Sequence, residues 1–179
     1  GSKVLLLSHM RGHICDMDKL MAICNLDEIY VIEDCAHTMG ASWAGIPSGR
    51  NGVIGCYSSQ TYKHLNSGEG GLLVTDDDEI IARAIILSGS YMLYQQHQSI
   101  PDSAIFEEIK LQTPNISGRM DNLRAAILRP QLSDLSDRVF RWNERYKVIE
   151  AGLRNVPIIK IIERSENESF VAILLRFPL

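Results

Sequence analysis

An acid closing one β-rich run and a lysine following the next are the residues best placed to do chemistry. Asp34 ends the run Ile29-Tyr30-Val31-Ile32-Glu33-Asp34, and Lys63 lies just beyond the strand candidate Ile54 to Ser59. A lysine amine drawn out of bulk water gives up its proton readily and can attack a carbonyl carbon to form a Schiff base. An acid on the same rim can hold the protonated nitrogen of a pyridine ring. The pair therefore matches what pyridoxal phosphate needs: a lysine imine and an acidic partner that keeps the ring an electron sink. Ser58 and the glycines after Lys63 add hydroxyl and amide donors for a phosphate. On these residues alone a plain alternative stays open, since strand-end acids and loop lysines often do no more than meet water.

Those residues need elements to carry them. Val4 to Ser8 reads as a short buried strand, and Asp16-Met17-Asp18-Lys19-Leu20-Met21 starts an amphipathic helix with acids in its first turn. Ile29 to Asp34 then reads as a parallel strand, at whose carboxyl end open α/β sheets bind ligands. Gly40, Gly45, Pro47, Gly49 and Gly52 predict a loop or small hairpin. Strands over Ile54 to Ser59 and Leu72 to Thr75 follow, then a helix from Glu79 to Leu87 capped by Asp76 to Asp78. Ser88 to Ser117, with Tyr91 and Tyr94, shows no period and reads as a long functional loop or subunit contact. A helix resumes at Arg119, Pro130 is expected to interrupt it, and a long second helix runs on through Trp142 and Tyr146 to Leu153. Strands are expected at Ile158 to Ile162 and Phe170 to Phe177.

Composition bounds the class. The chain has 179 residues, 45% hydrophobic and 22% charged, with 18 Lys plus Arg against 22 Asp plus Glu for a net charge of −4. That is an ordinary globular α/β composition, not a disordered one. No basic block suggests nucleic acid, and no apolar stretch is long enough to span a bilayer. Lys3 and Val4 to Leu7 are too short for a secretory signal, so the chain reads as cytoplasmic. Gly1-Ser2 reads as a tag remnant. Cys15, Cys24, Cys35 and Cys56 form no C-x-x-C pair and read as buried reduced thiols. His9, His13, Cys15 and Asp16 lack a standard ligand spacing and read as surface polar residues, with no metal expected. A Rossmann nucleotide site is disfavoured because no G-x-G-x-x-G follows the first strand.

Longer strings narrow the reading. Val31-Ile32-Glu33-Asp34-Cys35-Ala36-His37-Thr38-Met39-Gly40-Ala41, then Gly55-Cys56-Tyr57-Ser58-Ser59-Gln60-Thr61-Tyr62-Lys63, then Gly68-Glu69-Gly70-Gly71 run in one order. Arg119-Met120-Asp121-Asn122-Leu123-Arg124-Ala125-Ala126-Ile127-Leu128 and Gln131-Leu132 follow. Over about residues 12 to 155 the chain resembles the DegT/DnrJ/StrS family of pyridoxal-phosphate-dependent sugar aminotransferases.

The resemblance implies a partial large domain of the aminotransferase type I fold over residues 3–155 and the start of a small C-terminal domain over residues 156–179. It implies that Lys63 forms the Schiff base and shuttles the proton, that Asp34 pairs with the pyridine nitrogen, and that Ser58 binds the phosphate. His37 stands where the family commonly has glutamine near the phenolic oxygen. The family's dehydratases replace the lysine with histidine; Lys63 is retained, and His64 beside it is not that replacement. The segment before Arg119 is implied to reach a neighbouring subunit's phosphate through Asn115 and Ser117, Ser117 standing where asparagine is common. Implied partners are an amino donor, glutamate or glutamine, a nucleotide-linked keto sugar, and a second copy in a homodimer or larger homo-oligomer. Family members start well before residue 1 and run past Leu179, so two walls of the site find no counterpart. The alternative expectation is therefore a non-catalytic remnant that acts as an oligomerising module.

Overall fold

A computed structural model describes residues 1–89, 94–97 and 100–171. Its centre is a four-stranded sheet in the order β1-β2-β5-β6. Strand β1 (Val4–Ser8) and β2 (Tyr30–Asp34) are parallel, with Ser8 level with Asp34. Between them runs helix α1 (Met17–Leu26), whose N-cap Asp16 accepts a hydrogen bond from the Lys19 N–H at 3.1 Å. Trp43 and Ser42 form β3, turned back into β4 (Ile46–Pro47) by Ala44 and Gly45, both at positive φ as a two-residue hairpin loop requires. Strand β5 (Ile54–Ser58) lies parallel to β2 with Cys56 level with Asp34, and β6 (Gly71–Val74) runs antiparallel to β5. The carboxyl ends of β1, β2 and β5 thus share one rim.

Adjacent residues of β2 point to opposite faces. Glu33, fully buried, enters the face covered by α1 and the segment after β4. There its carboxylate accepts from the backbone N–H groups of Gly49 (2.9 Å), Asn51 (2.8 Å) and Gly52 (2.7 Å) and from His9 Nε2 at 2.9 Å. A carboxylate only accepts, so Nε2 carries the proton. Gly52 is required here, because a Cβ would lie 2.3 Å from the Val31 carbonyl oxygen. Asp34 takes the opposite face, whose apolar residues Val4, Leu6 and Tyr30 are exposed. Parallel sheets are ordinarily covered on both sides.

Beyond the sheet, α2 (Asp78–Leu87) and α3 (Ser103–Ile109) are capped by Asp77 and Asp102 and build a core of Ala82, Ile85, Ile86, Tyr94, Phe106 and Ile109. Tyr94 stacks on Phe106 with centroids 4.2 Å apart. Helix α4 (Asn122–Ser133) leads into the long α5 (Leu135–Leu153), which buries none of its residues. A short β7 (Glu168–Ser169) pairs with β3, and Val171 joins Ile14, Met17, Ala41 and Trp43 in a second core.

Several expectations need correction. The aperiodic stretch 88–117 contains helix α3, in which a cap and two buried apolar residues, Phe106 and Ile109, suffice for seven residues. Pro130 does not interrupt α4, which ends three residues later at Ser133; a proline lacks one N–H, and tertiary contacts carry the helix past it. Residues 158–162 form no strand, Ile158 being 92% exposed and paired with no strand among the described residues. The expected strand 170–177 is not formed at Phe170 and Val171, and residues 172–177, like Tyr91, lie outside the described residues. All four cysteines are free, but only Cys24 and Cys35 are buried, while Cys15 is exposed. His9, read as a surface residue, is buried by its bond to Glu33.

Burial pushes the Glu33 carboxyl up, but His9 and the amides of Gly52, Gly49 and Asn51 outweigh it and hold the group below its ordinary value of 4.5. Its stabilisation is present above that value and lost as pH falls through the lowered one. Glu33→Ala, leaving several buried donors without an acceptor, is expected to cost about 3–5 kcal/mol. Urea unfolding at pH 7 measures it, and the gap between wild type and variant is expected to narrow on acidification.

Candidate active site

The rim gathers the predicted residues unevenly. Asp34 closes β2 and is fixed at both carboxylate oxygens: the Ser8 hydroxyl donates to Oδ2 at 2.7 Å and the Ala36 N–H to Oδ1 at 3.0 Å. Burial raises its pKa, but these two donors and the nearby charges of His37 and Lys63 prevail, so the carboxyl is held below its ordinary value of 3.8. It is a carboxylate at neutral pH.

His37 lies in the turn after β2, and its Nδ1 accepts the Arg11 backbone N–H at 3.1 Å. Burial, then the charges of Lys63 and Arg11, lower its pKa below 6.5, against the pull of Asp34. The imidazole is therefore neutral at pH 7. Lys63 is half-buried on the excursion between β5 and β6, its backbone N–H bonded to the Gln60 carbonyl at 2.9 Å. Asp34, His37 and Lys63 share one electrostatic neighbourhood. Ser58 ends the neighbouring strand, where its Oγ accepts the Gln60 N–H at 3.2 Å.

The Lys63 excursion is closed by its own backbone. Ser59 and Thr61 N–H groups donate to the Gly70 and Gly68 carbonyls, each at 2.9 Å, and the Ser59 and Ser67 hydroxyls meet at 3.0 Å. Gly70 sits at φ +131°, a backbone conformation in which any side chain would be strained. Gln131 of α4 clasps the loop from outside, accepting the Asn66 N–H at 3.1 Å and donating to the Asn66 carbonyl at 2.7 Å. Asn115 and Ser117 are exposed and bonded to one another, the Ser117 N–H donating to Asn115 Oδ1 at 2.8 Å. Ile116 and Gly118 tie that segment to the Leu87 carbonyl at the end of α2.

Sequence reasoning assigned no role to Ser8, Glu33 or Gln131. Ser8 could have been found from pairing the two expected parallel strands end to end, which sets it beside Asp34. Donor atoms of His9, Glu33 and Cys35 lie within 4.8 Å of one another. They do not make a good cation site: the Glu33 oxygens are already taken up by N–H donors, and burial pushes the Cys35 thiol up to about 12, keeping its proton.

The sequence profile of the DegT/DnrJ/EryC1/StrS aminotransferase family matches residues 1–179. This chain belongs to that family. GDP-perosamine synthase from Caulobacter vibrioides is 30% identical over 159 residues, 86% of this chain and 40% of its own. The L-glutamine:2-deoxy-scyllo-inosose aminotransferase of Micromonospora echinospora is 32% identical over 153 residues, covering 83% of this chain and 35% of that one. Among solved structures, AtS13 from Actinomadura melliaura superposes with a TM-score of 0.76 at 26% identity, over 95% of this chain and 46% of that one. The chain therefore spans less than half the length of these relatives. Pyridoxal phosphate is the cofactor of the DegT/DnrJ/EryC1/StrS family, and the fold matches that of pyridoxal-phosphate-dependent aminotransferases over a partial large domain.

Gln131→Ala removes both bonds to Asn66. It is expected to cost about 1–2 kcal/mol and to speed amide hydrogen exchange in residues 66–70 while leaving α2 and α3 protected, as exchange mass spectrometry would reveal.

Proposed function

We propose that this chain carries the cofactor-holding rim of a pyridoxal-phosphate-dependent aminotransferase that moves an amino group from glutamate or glutamine to a nucleotide-linked keto sugar. The observation that supports this most is the Asp34 carboxylate, kept ionised by two hydrogen bonds on the carboxyl rim of parallel strands and within charge reach of Lys63 and His37. When bound, the cofactor supplies an aldehyde carbon for an amine and a ring that accepts electrons.

The donor set suits that group. Asp34 would accept from the protonated ring nitrogen, and its depressed pKa keeps it able to do so at neutral pH. Lys63 Nζ would be the covalent anchor and, when freed, the base that carries a proton to and from the substrate carbon. Ser58 Oγ would meet the phosphate, and neutral His37 would donate to the phenolic oxygen. Asn115 and Ser117 would reach the phosphate of a neighbouring copy in a homo-oligomer. Residues 3–155 are read as cofactor-binding domain and residues 156–179 as the start of the smaller one. No helix among the described residues is long and apolar enough to cross a membrane, and we place the protein in the cytoplasm.

The sugar class follows that of relatives such as GDP-perosamine synthase. The exposed apolar face at Val4, Leu6 and Tyr30 favours a second reading, an oligomerising module without catalysis. One experiment separates them. Pyridoxal phosphate added to the purified chain is expected to give a visible absorption band that borohydride bleaches and that Lys63→Ala lacks. Identical spectra from the two proteins would remove catalysis by this chain and leave the module.

A further inference from the structure

We propose that the turn from Ser8 to Gly12 is the positioning element of this site, with Ser8 orienting the Asp34 carboxylate and the Arg11 backbone amide locking His37 as the Nε2–H tautomer. The inference rests on the reading of the rim as a pyridoxal phosphate site and assigns that site two supports outside its own strand.

Ser8 ends β1 level with Asp34, and its hydroxyl reaches Oδ2 at 2.7 Å while Ala36 holds Oδ1. With both oxygens engaged, the plane of the carboxylate is set. Arg11 supports His37 at a conformational cost. Its φ of +60° is left-handed, a geometry that a residue with a Cβ adopts unfavourably. That geometry directs the Arg11 N–H at His37 Nδ1 over 3.1 Å. A nitrogen accepting that bond carries no proton, so in a neutral ring the proton sits on Nε2. The charged and titratable groups around the ring are Lys63, Arg11, Asp34 and His64, and with burial their combined influence keeps it neutral at pH 7.

The strained residue is held from both sides. Gly12 N–H donates to the His9 carbonyl at 3.2 Å and His13 N–H to that of Met10 at 3.3 Å. The His9 ring is anchored on buried Glu33, and its backbone N–H donates to the Asp34 carbonyl at 3.1 Å. Downstream, the Gly12 carbonyl accepts from Arg164 Nη1 at 2.8 Å. Strain of this kind persists only where its surroundings over-determine it, and here the outlier faces a pocket residue. Ser8 is exposed, so its hydrogen bond contributes direction to Asp34 more than stability to the fold.

The first test needs no cofactor. Long-range ¹H–¹⁵N spectra of the whole chain at pH 7 are expected to show His37 as a neutral ring protonated at Nε2; a proton on Nδ1 would overturn its half of the proposal. Carboxyl ¹³C titration is expected to place Asp34 at a higher pKa in Ser8→Ala than in wild type, with Ser8→Thr returning it. An unshifted Asp34 in Ser8→Ala would overturn the Ser8 half. The cofactor test adds pyridoxal phosphate affinity, read from the visible band, which is expected to weaken about tenfold in Ser8→Ala and recover in Ser8→Thr. Equal affinity in all three would count against Ser8 as a positioning residue. If wild type fails to bind pyridoxal phosphate while the spectra behave as expected, the proposed function falls and the positioning of Asp34 and His37 stands.

Discussion

The site depends on one buried carboxylate. Glu33 gathers a histidine from just beyond β1 and three amides of the loop after the hairpin, those of Gly49, Asn51 and Gly52, all onto two oxygens in a dry environment. An ionised group there is tolerable only because every lone-pair direction finds a donor. In return, segments distant in sequence meet at one point, and that point is the residue before Asp34. The strand that presents the candidate active-site acid is thus anchored from behind by its neighbour.

A second anchorage works from the far end of the chain. Glu168 accepts from the Ile14 N–H at 3.1 Å and from Arg164 at 2.6 Å, and Arg164 lies 4.4 Å over the Phe170 ring. The C-terminal segment is in this way stitched to the turn that follows β1. Contacts near residue 168 therefore bear on the geometry around residues 8–12, through a hydrogen-bonded path and not through the sheet.

Much of this was legible beforehand, and the reasons differ by residue. The strands ending at Ser8, Asp34 and Ser58 announce themselves by short runs of apolar, β-branched or aromatic residues, and parallel pairing puts their ends on one rim. The helix starts at Asp16 and Asp77 follow from capping chemistry. What stayed hidden was set by tertiary contact. Ser103–Ile109 is too short for a period to emerge. Ile158 to Ile162 has strand composition but pairs with no strand among the described residues. Pro130 looks like a breaker because local rules cannot see the bonds between Gln131 and Asn66 that hold α4 in place beyond it. His9 looks polar and solvated until Glu33 is placed against it. At the site, types and order pointed to Asp34, His37, Ser58 and Lys63, whereas the backbone donor from Arg11 carries no signature in any side chain.

The alternation of Glu33 and Asp34 also constrains how this stretch can change over generations. Most strands absorb a conservative exchange of side chains, yet losing or gaining a single residue within Tyr30–Asp34 would reverse which face each acid meets. The clasping acid would turn toward the open face and the site acid toward amides shaped for a longer side chain, ending fold support and pocket chemistry in the same event. In descendants of this sequence, length variation should thus collect in the surrounding loops, and β2 should keep its residue count even where its letters drift.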